Sequence, residues 1–315
     1  MIQTLGSFAA IWLLLWLVFA LLLLAAYSKL RQLLFRFHAG YASALLLGIS
    51  AVPMLLSLLC SLLLFTPAIE ALLIREHCHQ DCVQHTPLFQ SMILTWAGLL
   101  AAGILIGYFA VTFWVRIIQA RRLNRQLHSL STAVDNDLYR RLSNAQPLVF
   151  TVGWWRNTVY VSEGIEAACD PRELDIVCAH EQGHSDRKDN LRLLFAQLFT
   201  LLLPPRLKAI LLNDLQLFTE SACDFRAAKQ FGSLDVAATF LKIQRLMPQV
   251  SKLPAGACAI NGSPIEQRVT ALIADKQTLQ PTAWQTAGGL LLLAVMFVLS
   301  IDPLHHGAEW LLGLA

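Results

Sequence analysis

Val177-Cys178-Ala179-His180-Glu181-Gln182-Gly183-His184 sets two histidines four residues apart. On a helix that spacing is about one turn, so both rings leave the same face. Two imidazoles so placed suit a tetrahedral zinc, and the glutamate after the first can hold the attacking water and take its proton. The string alone also fits a surface helix with two solvated histidines, and the residues around it decide between the two. A zinc site of this kind needs a third protein ligand and an open fourth position. Thr219-Glu220-Ser221-Ala222-Cys223-Asp224, on a predicted helix, offers Glu220, 36 positions after His184. Asp224 shares its face at i+4, where it can accept the N–H of a liganding histidine and fix its tautomer.

Upstream, Pro147 to Gly153 and Thr158 to Ser162 are two β-type runs joined by Trp154-Trp155-Arg156-Asn157, which predicts a hairpin. A substrate can be held extended as an added strand on such a sheet edge. Trp154 and Trp155 read as anchors at a membrane interface. Asp170-Pro171-Arg172-Glu173 is a helix start, with Asp at the N-cap and Pro in the first turn. That helix carries His180 to His184. Leu191 to Leu203, Arg206 to Lys229, Asp235 to Met247 and Ser263 to Asp275 predict four more helices. Tyr160, His128 and Arg268 are each candidates to stabilise an oxyanion, and the sequence does not choose among them.

The composition is not that of a soluble protein. Of 315 residues 56% are hydrophobic and only 14% charged, against roughly 25% charged in soluble domains. Mean hydropathy is +0.54. Apolar runs at about 8–26, 41–65 and 91–115 are long enough to span a bilayer, as is a fourth at 284–301. Pro53 is expected to kink the second. Lys29, Arg31 and Arg36 follow the first run and Arg116, Arg121, Arg122 and Arg125 the third, whereas the loop at 66–90 has only Arg75. The positive-inside rule then places both basic connectors in the cytoplasm. The loop 66–90 and both termini fall outside, in the periplasm of a bacterial inner membrane. The expected division is three spans in 1–118, a cytoplasmic catalytic domain in 119–282, and a fourth span with a short tail in 283–315. The net charge of +3 and the lack of a basic-aromatic patch exclude direct nucleic-acid binding. Cys78 and Cys82, on the oxidising side, are a candidate disulfide. Cys169, Cys178, Cys223 and Cys258 read as small buried residues.

Taken in order, Pro147–Val152, Gly153–Arg156, Val159–Ile165, His180–His184, Arg187 with Asp189, Glu220 with Cys223-Asp224, and Ile265–Leu272 resemble the BlaR/MecR antirepressor metallopeptidases. The resemblance extends over essentially the whole chain and is strongest from 147 to 272. It implies an α-helical membrane protein with an α+β, gluzincin-type zinc metallopeptidase domain. It also implies zinc held by His180, His184 and Glu220, with Glu181 as catalytic base. The implied substrate is a cytoplasmic, winged-helix transcriptional repressor, or this chain itself, with a second copy of the chain as a further candidate partner beside the lipid bilayer. Two features depart from that family. Arg156-Asn157 stands where Arg-Pro is usual, and the C-terminal penicillin-binding sensor domain is expected to be missing. The HtpX-like membrane zinc peptidases, which act in quality control, share His-Glu-x-x-His and a later Glu-x-x-x-Asp. Cys223 before Asp224 and the three early spans favour the antirepressor resemblance over them. A non-catalytic signalling scaffold with a structural zinc is the alternative outside the enzymes.

Overall fold

Asp170 caps the helix that matters most. Its carboxylate accepts from the Glu173 N–H at 2.8 Å while the Glu173 side chain accepts from the Asp170 N–H at 2.9 Å, and Pro171 occupies the first helical position. This reciprocal box satisfies two donors that a helix start leaves unpaired. The computed structural model describes residues 1–66, 91–134, 138–246, 257–258, 264–274 and 279–312. The candidate disulfide Cys78–Cys82 lies outside them.

In chain order the elements are α1 (Ile2–Leu34), α2 (Ala39–Leu64), α3 (Met92–Ser129), β1 (Ser131–Ala133), β2 (Arg140–Leu142), β3 (Val149–Val152), β4 (Thr158–Ser162), α4 (Glu163–Ala168), α5 (Pro171–Arg187), α6 (Asp189–Phe199), α7 (Pro205–Phe231), α8 (Ser233–Leu246), β5 (Ala257–Cys258), α9 (Ile265–Ile273) and α10 (Ala283–Leu312). They divide into one unit of residues 1–30, 51–110 and 280–315 and another of 31–50 and 111–279.

Helices α1, α2 and α3, which supply most of the first unit's described residues and continue into the second, are each long and apolar enough to cross a membrane. They carry the runs predicted at 8–26, 41–65 and 91–115. The run at 284–301 lies in α10, which is 30 residues long. Ile93, Leu100 and Ile104 are more than 60% exposed, a surface that suits lipid rather than water. Gly6 and Gly98 let α1 and α3 approach: a Cβ on Gly98 would lie 2.8 Å from the Gly6 carbonyl oxygen. Ile11, Leu15, Cys60 and Leu64 form the buried seam of this unit.

The second unit is α+β. Its five-stranded sheet runs β1-β2-β4-β3-β5, antiparallel except for β2 beside β4. The predicted hairpin is present, with Val149 opposite Val161 and Val152 opposite Thr158. Gly153 turns it at φ 130, where a Cβ would strike the Arg156 carbonyl at 2.2 Å. One expectation is corrected here. The hairpin is not a free sheet edge, because β2 lies along β4 and β5 pairs with Thr151 and Val152 of β3. Trp154 is likewise not at an interface but buried with Ile117, Ala120 and Leu194, leaving Trp155 exposed at the turn.

Side chains alternate across the sheet. Val149, Val159 and Val161 face a core shared with Ile176 and Val177 of α5, Ala227 of α7, Phe240 of α8 and Leu272 of α9. Leu142, Val152 and Tyr160 face the other way, onto Leu123 and Leu127 of α3.

Candidate metal centre

The centre forms where α5 and α7 cross. Gly183 permits a close crossing, since a Cβ there would lie 3.0 Å from Cys223 Sγ. His180 and His184 turn their Nε2 atoms to one point, 3.2 Å apart. Glu220 meets them from α7, with Oε2 3.5 Å from His180 Nε2 and Oε1 3.6 Å from His184 Nε2. All three residues are essentially inaccessible. Bonds of about 2.0–2.1 Å in a tetrahedral zinc site put neighbouring donors roughly 3.3 Å apart, so this donor set fits the ion.

Each imidazole is backed by a carboxylate on its other nitrogen. His180 Nδ1 lies 3.0 Å from Asp224 Oδ1 and His184 Nδ1 lies 3.0 Å from Asp189 Oδ2. The histidine rings are thereby oriented with Nε2 turned inward. Arg268, 1% exposed, forks onto Asp224 with Nε at 2.7 Å and Nη2 at 2.5 Å, and its Nη1 reaches Glu220 at 3.2 Å. Burial alone would raise the Asp224 carboxyl, but Arg268 and then His180 bring it down to about 2. For Asp189, burial is likewise outweighed, by the bond to His184 and by Arg187 and Arg192, and its carboxyl is lowered. Burial also disfavours a charged His180, yet Asp224 and Glu220 raise it to about 9. Histidines bind a cation in their neutral form, so a cation entering the site competes with protons.

Glu181 is set apart from the donor triad. Thr151 Oγ1 of β3 donates to its Oε2 at 2.6 Å, and Oε1 is buried with no hydrogen-bond partner among the described residues. Burial raises its carboxyl, with the two histidines and Thr151 acting against that. A carboxylate with one oxygen fixed, one oxygen open and an elevated pKa is suited to accepting a proton.

Of the three oxyanion candidates, only Arg268 reaches the donor set, and it does so through Glu220 with its fork spent on Asp224. Tyr160 lies on the sheet face opposite Thr151 and donates to Asn124 Oδ1 at 3.2 Å. His128 is in the last turn of α3, where its carbonyl accepts from Ser131 and Arg140. Thr151, and Asn190 donating to the Thr151 carbonyl at 3.0 Å, were not singled out by the sequence. A strand threonine 30 positions before its partner leaves no spacing signal.

A second group of donors, His184, Asp189 and Cys223, lies within 4.8 Å. It suits a cation less well. Asp189 already accepts from two guanidiniums, and burial, then Asp189 and Glu220, push the Cys223 thiol well above its ordinary value.

Residues 118–251 match the family model of Peptidase family M48. The matched stretch, from the end of α3 past α8, is therefore a metallopeptidase domain, and it contains His180, Glu181, His184, Glu220 and Asp224. No curated protein matches the chain. The M48 match, together with three helices among the described residues that are able to cross a membrane, supports a membrane metalloprotease.

Proposed function

We propose that the chain is a zinc-dependent endopeptidase in which His180, His184 and Glu220 hold the ion and Glu181 is the catalytic base. The observation that carries this reading is the convergence of two Nε2 atoms and one carboxylate at 3.2–3.6 Å, beside a buried carboxylate with an unpartnered oxygen. Bound zinc would polarise the scissile carbonyl and lower the pKa of its water to about 7. Glu181, steadied by Thr151, takes the proton at Oε1 and later delivers it to the leaving amine. Asp224 and Asp189 keep the imidazoles aligned, and Arg268 balances the charge of the two carboxylates on α7.

The basic connectors after the first and third spans support a cytoplasm-facing catalytic domain in a bacterial inner membrane. With the motif order running from Pro147 to Leu272, they support a signal-transducing role in which the substrate is a cytoplasmic repressor, or the chain itself. Glu181→Ala in native membranes should trap the substrate for identification after crosslinking. A winged-helix repressor or a fragment of this chain is the expected capture. A broad set of damaged membrane proteins would instead establish a quality-control protease.

A further inference from the structure

Asp189 is itself held. Arg187 Nε lies 3.3 and 3.2 Å from its two oxygens, and Arg192 Nη1 donates to Oδ1 at 2.9 Å. Both guanidiniums also converge on one hydroxyl, with Nη2 of Arg187 at 2.7 Å and Nη2 of Arg192 at 3.1 Å from Ser43 Oγ. Ser43 belongs to the opening turns of α2 and is fully buried. Its own hydrogen is committed to the Gly40 carbonyl at 2.9 Å, which leaves both lone pairs for the two arginines. Gly40 in turn makes room for them: a Cβ there would lie 3.2 Å from Arg187 Nη1. Ser43 does not serve as a helix cap, since a cap would accept from backbone N–H groups. Two like charges sit side by side here because two oxygens, of Asp189 and Ser43, lie between them.

We propose that Ser43 is a positioning residue for the metal centre. It fixes Arg187 and Arg192, these fix Asp189, and Asp189 aligns His184, so the start of a helix able to cross a membrane sets how firmly the site holds its ion. The proposal rests on the zinc reading given above. Without the Ser43 oxygen, two buried guanidiniums lose a shared acceptor. They then re-form around Asp189 and draw it off His184 Nδ1.

The test uses the full-length protein in lipid nanodiscs. Zinc release to a chromophoric chelator is timed, and the visible absorption of the cobalt-substituted protein is recorded. Ser43→Ala should release zinc roughly 3- to 10-fold faster, within the reach of outer-sphere changes, and should shift the cobalt bands. Ser43→Thr, which keeps the hydroxyl, should stay near wild type. In an Asp189→Asn background Ser43→Ala should add nothing, because the two act in series. Unchanged release and spectrum in Ser43→Ala, or an equal effect in the Asp189→Asn background, would overturn the proposal. Wild-type protein that takes up no zinc would sink the metallopeptidase reading, and the positioning role with it.

Discussion

Glu181→Gln should lose about 10²- to 10⁴-fold in peptide hydrolysis while retaining one zinc per chain. Glutamine keeps the shape of the side chain, and its amide oxygen can still accept from Thr151, so β3 and α5 stay joined. His180, His184 and Glu220 do not touch the altered group through any hydrogen bond, which leaves the donor triad intact. What disappears is the proton acceptor. Hydrolysis of a fluorogenic peptide by reconstituted protein, alongside zinc by mass spectrometry, separates the two effects. Retained hydrolysis would assign the base elsewhere. Lost activity with lost zinc would make Glu181 structural.

Arg268→Met should destabilise the catalytic unit by about 3–5 kcal/mol, the cost of leaving buried charges unpaired. Arg268 donates to Asp224 from Nε and Nη2 and sets Nη1 3.2 Å from Glu220 as an ion pair, all out of water. Methionine fills part of the volume but supplies no charge. Two carboxylates on one face of α7 then repel each other, and Glu220 loses its fixed position. The exposed pair Arg172–Asp235 is the contrast: its side chains are 64% and 50% exposed at 2.6 Å, and Arg172→Ala should change stability by less than about 1 kcal/mol. Denaturant unfolding of both variants in the same detergent measures the difference.

The parts of the site legible in the sequence are those written at helical spacing. His180, His184, Glu220 and Asp224 pair at i, i+4 on two helices, and the first helix announces its start with Asp170-Pro171. The hairpin was legible because β-branched residues alternate on either side of a turn. What could not be read is what the chain brings together from a distance. The approach of Thr151 to Glu181 needs the strand packed on α5. Asp189 reaches back to His184 only because Lys188 adopts a left-handed conformation at φ 54 between α5 and α6. The strand β5 is two residues long, too short to leave a pattern, and it takes the edge that the hairpin was expected to offer. Trp154 beside Trp155 looked like an interfacial pair, yet alternate directions at the turn bury one and expose the other. Arg268 is one of the three oxyanion candidates, and its carboxylate partners lie on α7, 44 positions earlier in the case of Asp224.

Zinc-edge X-ray absorption of the purified full-length protein bears most directly on the metal site. The expected result is a first shell of nitrogen and oxygen only, at about 2.0–2.2 Å, with the outer-ring scattering of two imidazoles. A sulfur neighbour at about 2.3 Å would place the ion on Cys223 with His184 and Asp189 and contradict it.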